Sequence, residues 1–303
     1  MYMVKKIHLF IGALITVMWG ANFSIIEMGL RDLNSFSLTL LRFLFTAIPL
    51  IFFIPRPKEV SIFWIALYGV IFGTGLWWLV NFAMYKGLSP GLSSLILQFS
   101  AFFTIIMSNF FFKERISLQN WIGMGVSFVG LMMIIHFSNL SSTKIGIELT
   151  ILAAVSWAVC NLIIKKTQPQ NVIGFIVWSS LFAVPALLTV SIIVNGGEEL
   201  YQIPKNLTFN ACISVLFQSF ITTILGYSIW NKLMKTYPAS DVAPLSLLVP
   251  ISGILTSYVF FDETLSNCQF ISMGIVIIGL FIFMLSGKTF VGLFFSKIKP
   301  CNK

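Results

Sequence analysis

Apolar runs of about 20 residues alternate with short polar breaks along nearly the whole chain. The apolar residues within each run are continuous, a pattern that favours buried helices over half-buried strands. A helix needs about 20 apolar residues to cross a bilayer, and its backbone groups must be satisfied within the lipid. The pattern therefore predicts an all-α, polytopic membrane protein with ten transmembrane helices. The predicted spans are His8–Leu30, Ser35–Ile54, Ser61–Tyr85, Gly91–Phe112, Leu118–Phe137, Gly146–Ile164, Val172–Val194, Leu207–Met234, Asp241–Phe261 and Asn267–Ser286.

The second half of the chain repeats the first at a constant offset of 149 positions. The aligned pairs are Glu114 with Glu263, Gly125 with Gly274, and Gly130 with Gly279. Each copy holds five spans, and because five is odd the copies have opposite topologies. The sequence thus predicts two inverted five-helix repeats, at 8–137 and 146–286, and a basic cytoplasmic tail at 287–303. Inverted repeats of this kind are typical of secondary transporters, whose substrate sites lie between the two copies.

Composition and charge support a membrane location. Hydrophobic residues make up 57% of the chain and charged residues 10%, whereas about a quarter of a soluble domain is charged. If the N-terminus is cytoplasmic, fourteen Lys and Arg residues fall inside and four outside. This asymmetry predicts that both termini are cytoplasmic. The net charge of +9 then reflects topology and contact with anionic lipid, and it requires no nucleic-acid partner.

Arg42 is a charged residue within a predicted span. It lies about eight residues into the second span, on the order of 12 Å below the surface at the helical rise per residue. A charge at this depth is costly and marks a candidate functional site. Two interpretations are open: Arg42 attracts a substrate carboxylate in a cavity, or it snorkels outward or locks the first two helices together.

The other site candidates are neutral polar groups and aromatic rings within spans. Aromatic walls bury the apolar body of a ligand, and a few polar groups fix its orientation. Trp19 and Trp157 occupy similar places in the two copies, and each is followed by an Asn within four residues. The ninth span carries two prolines, Pro244 and Pro250, which predict either a bent pore-lining helix or a simple packing kink. The expected cavity residues are Trp19, Asn22, Arg42, Trp78, Asn81, Gln98, Ser100, Phe102, Trp157, Asn161, Tyr227, Ser246 and Pro250.

The sequence contains no pattern for a bound metal, a cofactor or catalysis. The four cysteines have no paired spacing, so we expect neither a disulfide framework nor a metal site. We find no Walker loop and no HExxH helix. Acidic residues lie near span ends, which disfavours proton coupling through a central carboxylate, although His136 or a glutamate at a helix end remains a candidate. We therefore expect no cofactor and no enzymatic activity.

An ordered set of short strings resembles the EamA family of the drug/metabolite transporter superfamily. The strings are Trp19-Gly-Ala-Asn-Phe23, Leu41-Arg-Phe43, Gly91 to Ile105 with Glu114-Arg115, Trp157 with Asn161, and Val242 to Pro250 with Asp262-Glu263. Within that family, the fourth-span and ninth-span strings are most similar to bacterial exporters of O-acetylserine and cysteine. The resemblance covers about Leu9 to Leu285 and implies alternating access around a central cavity. One departure is Thr264, which follows Glu263 where the first copy has Arg115.

The leading hypothesis is a carrier in a bacterial inner membrane that exports an amino acid or related metabolite. Its partners would be that small molecule and the lipid bilayer, and the carrier would be a monomer or homodimer. Uptake of a nucleoside-like or cofactor-like metabolite and multidrug efflux are alternatives. A membrane enzyme or a structural membrane protein is the alternative of a different class.

Overall fold

The computed structural model describes residues 6–113, 116–137, 141–236, 245–246, 248–262 and 266–284. Every regular element among these residues is helical. The principal helices are α1 (Lys6–Leu30), α2 (Ser35–Ala47), α3 (Ile62–Tyr85), α4 (Pro90–Phe112), α5 (Leu118–Phe137), α6 (Ser141–Thr167), α7 (Val172–Asn195), α8 (209–236), α9 (Leu248–Phe261) and α10 (Asn267–Met284). Short helical segments lie at Leu50–Phe52, Glu198–Tyr201 and Ile203–Asn206.

Eight apolar helical segments in the described part of the chain are long enough to cross a membrane. Two shorter apolar helices, α9 and α10, follow them. The prediction of a polytopic helical membrane protein is therefore confirmed. The acidic turns at Glu114 and Glu263, the residue Pro244 and the tail at 287–303 lie outside the described residues.

Three predicted spans differ from the structure. The second helix ends at Ala47 and not at Ile54, because Pro49 disfavours helical backbone at the residue before it. The fourth span is interrupted after Leu97, where Gln98 and Phe99 form a turn. The sixth helix is longer than predicted at both ends, because polar residues such as Lys144 extend it past its apolar core.

The ninth span was expected to bend at its prolines. Pro250 is instead the third residue of α9, within the first turn, where backbone N–H groups have no partner inside the helix. A proline is tolerated at such a position without breaking a hydrogen bond. Pro250 therefore does not kink the described part of α9.

Close helix contacts in the bundle depend on small residues. In the α5–α10 pair, a Cβ added to Gly279 would overlap the Ser127 side chain and backbone. The Ser127 Oγ donates to the Val276 carbonyl at 3.1 Å, and the Asn120 Nδ2 donates to the Phe283 carbonyl at 3.1 Å. On the outer faces of the same two helices, a Cβ added at the counterpart positions Gly125 and Gly274 would have nothing within 4 Å.

The loop between α2 and α3 is tied to the beginning of α7. The Trp178 Nε1 donates to the Ile54 carbonyl at 2.9 Å, and the Gln170 backbone N–H donates to the Glu59 carboxylate at 2.9 Å. The Glu59 carboxylate also accepts a hydrogen bond from its own backbone N–H. Both hydrogen bonds lower the pKa of this carboxyl, and the one from its own N–H has the larger effect. These contacts connect elements more than a hundred residues apart in sequence.

Candidate functional site

A mainly apolar cavity with a few polar groups in its wall lies within the bundle. Its walls come from α1, α2, α3, α4, α6, α8 and α9. Its volume is about 40 Å³, room for about three water molecules. The lining residues are Trp19, Asn22, Phe23, Arg42, Trp77, Leu97, Gln98, Trp157, Thr222, Tyr227 and Val249.

Arg42 is the only charged residue among the described residues that line this cavity. Its side chain is 1% exposed. The guanidinium donates to the Gln218 Oε1 at 3.3 Å and to the Thr223 Oγ1 at 3.2 Å. It also lies over the Trp77 ring, with its Cζ 3.7 Å from the ring centroid, a favourable cation–π geometry. Arg42 therefore does not snorkel, and it ties α2 to α8 rather than to α1.

Three polar atoms of the cavity-lining residues lack a hydrogen-bond partner among the described residues. They are the Arg42 Nε and the Trp77 Nε1, both donors, and the Asn22 Oδ1, an acceptor. All three residues are buried, and a buried polar atom without a partner carries a desolvation cost of about 1–3 kcal/mol. A small ligand with an anionic group and a cationic group would satisfy the Arg42 and Asn22 atoms.

Trp19 forms one aromatic wall of the cavity and is held tightly against α8. Its Nε1 donates to the Thr222 carbonyl at 3.0 Å, and its ring centroid is 5.3 Å from that of Tyr227. The contact requires a glycine at position 226, because a Cβ on Gly226 would lie 2.5 Å from the Trp19 Nε1. The position of this indole is thus fixed by the backbone of α8.

Helices α3 and α8 each contain a π-helical segment beside the cavity. These segments are Ile71–Trp78 in α3 and Phe217–Gly226 in α8. The first contributes Trp77 to the cavity wall and the second contributes Thr222. Wide turns of this kind are rare and occur frequently at functional sites. Their hydrophobic pattern resembles that of an ordinary helix, so these segments were not predicted from the sequence.

Gln98 lies at the turn that interrupts α4. The backbone hydrogen bonds there join residues three apart: the Gln98 N–H donates to the Leu95 carbonyl at 3.2 Å, and the Phe99 N–H donates to the Ile96 carbonyl at 3.0 Å. The turn brings Gln98 and Leu97 to the cavity wall.

The structure brings six of the expected site residues to one cavity, namely Trp19, Asn22, Arg42, Gln98, Trp157 and Tyr227. Three others make contacts away from it. The Asn81 Nδ2 donates to the Thr39 Oγ1 at 2.8 Å, and the Asn161 Nδ2 donates to Thr104 Oγ1 at 3.1 Å. Trp78 stacks on the Phe82 ring with centroids 5.4 Å apart.

The remaining expected residues also lie outside the cavity lining. The Ser100 carbonyl accepts a hydrogen bond from the Thr104 hydroxyl, one turn further along α4. Phe102 packs edge-on against Phe283, with centroids 4.7 Å apart. Ser246 lies in a short turn before α9, and Pro250 is buried in the first turn of that helix.

Five cavity residues were not predicted, namely Phe23, Trp77, Leu97, Thr222 and Val249. Phe23, Leu97 and Val249 are apolar residues in apolar spans, so nothing in the sequence separates them from residues that face lipid. Trp77 resembles an interfacial anchor in sequence. For Thr222 a signal was present, because it is a hydroxyl next to a second threonine in the middle of a span.

A bundle of apolar helices long enough to cross a membrane, with an internal cavity lined by aromatic rings and a few polar groups, is typical of a membrane transporter. The model of the EamA-like transporter family matches residues 6–136 and 144–285. Because these matches cover most of the chain, the protein belongs to the EamA-like transporter family. The family resemblance inferred from the short strings is therefore confirmed.

Two curated relatives are similar over nearly their full lengths. One, from Salmonella typhimurium strain LT2, is described as "Probable amino-acid metabolite efflux pump"; it is 35% identical over 280 residues, which is 90% of this chain and 93% of the relative. A relative with the same description from Escherichia coli strain K12 is 33% identical over 275 residues, or 89% and 92%. A protein of known crystal structure shares the fold, with a TM-score of 0.59, 13% identity and coverage of 94% of this chain and 99% of that chain.

Proposed function

We propose that this transporter exports a small zwitterionic amino-acid metabolite from the cytoplasm by alternating access. It does so as a monomer or homodimer in a bacterial inner membrane, with both termini cytoplasmic. Its ten helices form two inverted halves, at 8–137 and 146–286. The two relatives described as efflux pumps support the direction and the substrate class.

The helix packing supports the inverted halves. Helix α1 packs on α9 as α6 packs on α4, and α1 packs on α8 as α6 packs on α3. Helix α2 packs on α8 as α7 packs on α3. In each case, the two pairs consist of corresponding helices of the two halves: α1 corresponds to α6, α2 to α7, α3 to α8 and α4 to α9. The family model also matches twice, once in each half.

The observation that carries the substrate class is that Arg42 and Asn22 both line the same cavity. The Arg42 guanidinium is permanently charged at physiological pH and fits a carboxylate, while the Asn22 Oδ1 accepts from an ammonium group. Trp19 and Trp157 supply apolar walls for the substrate body. Since the cavity holds only about three water molecules, the walls must separate to admit a substrate, as alternating access requires.

A transport assay in liposomes tests this proposal. Purified protein is reconstituted, and uptake of O-acetyl-L-serine is compared with uptake of 3-acetoxypropanoate, which lacks the ammonium, and of 2-acetoxyethylamine, which lacks the carboxylate. A proton gradient is applied in parallel samples. We expect the wild type to prefer the zwitterion over both analogues.

Substitution of Arg42 should remove that preference. In Arg42→Gln, loss of a charge-assisted hydrogen bond worth about 1.5–3 kcal/mol should lower zwitterion flux by roughly ten- to a hundredfold. Preference against the amine analogue should disappear with it. Lys58→Gln, which removes an exposed cation, serves as the control and should transport normally. Full selectivity in a folded Arg42→Gln protein would contradict the proposed carboxylate site.

Accessibility labelling tests the topology. Lys144 and Lys165 lie near opposite ends of α6, about 32 Å apart at the helical rise per residue. Single cysteines at these positions, in a background without native cysteines, should react with an impermeant thiol reagent from opposite sides of the membrane. Labelling of both from one side would contradict the proposed arrangement.

A further inference from the structure

A second cavity lies at the end of the bundle that the charge asymmetry places outside. Its volume is about 270 Å³, larger than the central cavity. It is lined by the C-terminal ends of α1, α3 and α9, by the connection between α3 and α4, and by the beginning of α4. The residues that matter here are Glu27, Arg31, Ser89, Ser257 and Phe261.

The two cavities lie in series along the same helix faces. On α1, Phe23 lines the central cavity and Glu27, four residues further on, lines the outer one, as does Arg31, which directly follows the last residue of the helix. Residues four apart on a helix share a face. On α9, Val249 lines the central cavity and Ser257 the outer one, again separated by a multiple of four. Glu27 is therefore about 6 Å beyond Phe23 along the axis of α1.

Small side chains join the helices at the level between the two cavities. The Ser24 Oγ donates to the Thr256 Oγ1 at 2.9 Å, joining α1 to α9 at the intervening level. A Cβ added to Gly253 would overlap the Ser94 side chain, so α9 also touches α4 there. Because these small side chains meet at this level, a modest separation of α1, α4 and α9 would connect the two cavities and make the outer cavity the next compartment on an exit path.

Among the described residues, the lining of the outer cavity includes one negative and one positive side chain. Glu27 offers a carboxylate for an ammonium group, and Arg31, one helical turn away, offers a guanidinium for a carboxylate. The Arg31 Cζ lies 4.6 Å from the centroid of the Phe261 ring, which holds the cation at the cavity wall. Ser89 and Ser257 add neutral hydroxyl groups to the lining. The set is complementary to the head of a zwitterionic amino acid.

We propose that this outer cavity is a second substrate site, at which the ammonium and carboxylate of an exported amino acid bind Glu27 and Arg31 before release. This inference rests on the proposed function for its substrate class. It predicts that the external face of the carrier has a recognition step with residues of its own, separate from Arg42 and Asn22. Substitutions at Glu27 and Arg31 should therefore change affinity from the outside and leave affinity from the inside unchanged.

The experiment uses right-side-out membrane vesicles loaded with labelled O-acetyl-L-serine. Efflux into substrate-free medium gives the half-saturation concentration on the internal side. Exchange against unlabelled O-acetyl-L-serine outside gives the external value. We expect Glu27→Gln and Arg31→Gln each to raise the external value about tenfold or more, as loss of a charged hydrogen-bond partner implies, with the internal value within twofold of wild type.

Controls and analogues make the result specific. Glu148→Gln and Lys144→Gln remove exposed charges on α6 and should change neither value. In Glu27→Gln, external competition by 3-acetoxypropanoate, which has no ammonium, should approach that by the zwitterion. Glu27→Asp keeps the charge and should recover part of the external affinity, and protein amounts in the vesicles are matched by quantitative immunoblot.

The outcomes separate this inference from the proposed function. If the wild type transports the zwitterion and both variants keep the wild-type external value, the outer site is rejected and the proposed function stands. Equal changes on both sides also reject a separate outer site. If wild-type vesicles move no amino-acid metabolite, the proposed function fails, and the outer site fails with it.

Discussion

Replacement of Gly226 by alanine tests how the wall of the central cavity is positioned. A Cβ at this position would lie 2.5 Å from the Trp19 Nε1 and 3.1 Å from its Cε2, while an ordinary contact begins at 3.4 Å. The indole must therefore withdraw by about 0.9 Å, the difference between 3.4 and 2.5 Å. Because its Nε1 donates to the Thr222 carbonyl, the movement strains or breaks that hydrogen bond.

The expected magnitude follows from three effects. Overpacking a well-packed interior costs about 1–3 kcal/mol. An indole N–H left without its acceptor costs about 1–3 kcal/mol more. Alanine recovers about 1 kcal/mol of helix propensity relative to glycine. We therefore expect Gly226→Ala to lower the free energy of unfolding by about 1–5 kcal/mol and to reduce flux, since Trp19 lines the cavity.

Gly125→Ala is the matched control for this substitution. Gly125 is also a helical glycine, but a Cβ there would have nothing within 4 Å, so only the favourable propensity effect remains. Thermal unfolding in detergent and liposome flux are measured for both variants. Gly226→Ala should lower the free energy of unfolding less in a Trp19→Phe background than in the wild type, because the Trp19 Nε1, the atom nearest to the added Cβ, is then absent. Equal behaviour of Gly226→Ala and Gly125→Ala, or strict additivity with Trp19→Phe, would refute the reasoning.

Three further predictions concern the scaffold. Gly279→Ala should lower the thermal midpoint, since its Cβ overlaps the facing helix, at a cost of about 1–3 kcal/mol; Gly274→Ala, with open space around it, should not, and equal midpoints would contradict the packing. Hydrogen bonds lower the pKa of the Glu59 carboxyl, so its contribution exists above the unfolded-state pKa and is lost as the pH falls through the folded-state pKa. The wild type should therefore melt above Glu59→Gln at neutral pH, with a gap that closes on acidification; a pH-independent gap argues against this. Asn81→Leu should lower stability by about 1–3 kcal/mol without changing substrate half-saturation, and altered half-saturation in a stable protein would place Asn81 in the substrate path.

The helices could be predicted from the sequence because bilayer thickness directly dictates the length of an apolar run. Their ends were less predictable, because they depend on local chemistry. Pro49 ends α2 early, while Lys144 is accommodated within α6. Neither effect is visible in the length of an apolar run.

Part of the cavity was predictable because polar groups are costly in lipid and must serve a purpose there. Asn81 and Asn161 were expected in the cavity for the same reason, but their amides donate hydrogen bonds to threonines on neighbouring helices. A polar residue that satisfies a neighbour and one that faces a cavity are indistinguishable in sequence, since the difference lies in which helices pack together. The π-helical segments were missed for a related reason: their hydrogen-bond pattern is set by packing.

The two π-helical segments also constrain how this chain can change in length. Each π-helical turn spans more residues than an α-helical turn. Deletion of one residue within Phe217–Gly226 would therefore restore α-helical hydrogen bonding and rotate the rest of α8 by about 100°. Tyr227, the first residue after that segment, would swing away from Arg42's neighbourhood while the loops stayed intact. Insertions and deletions, normally confined to loops, would thus reshape the cavity when they fall inside these two helices, and homologues that differ there by one residue would present a different wall to their cargo.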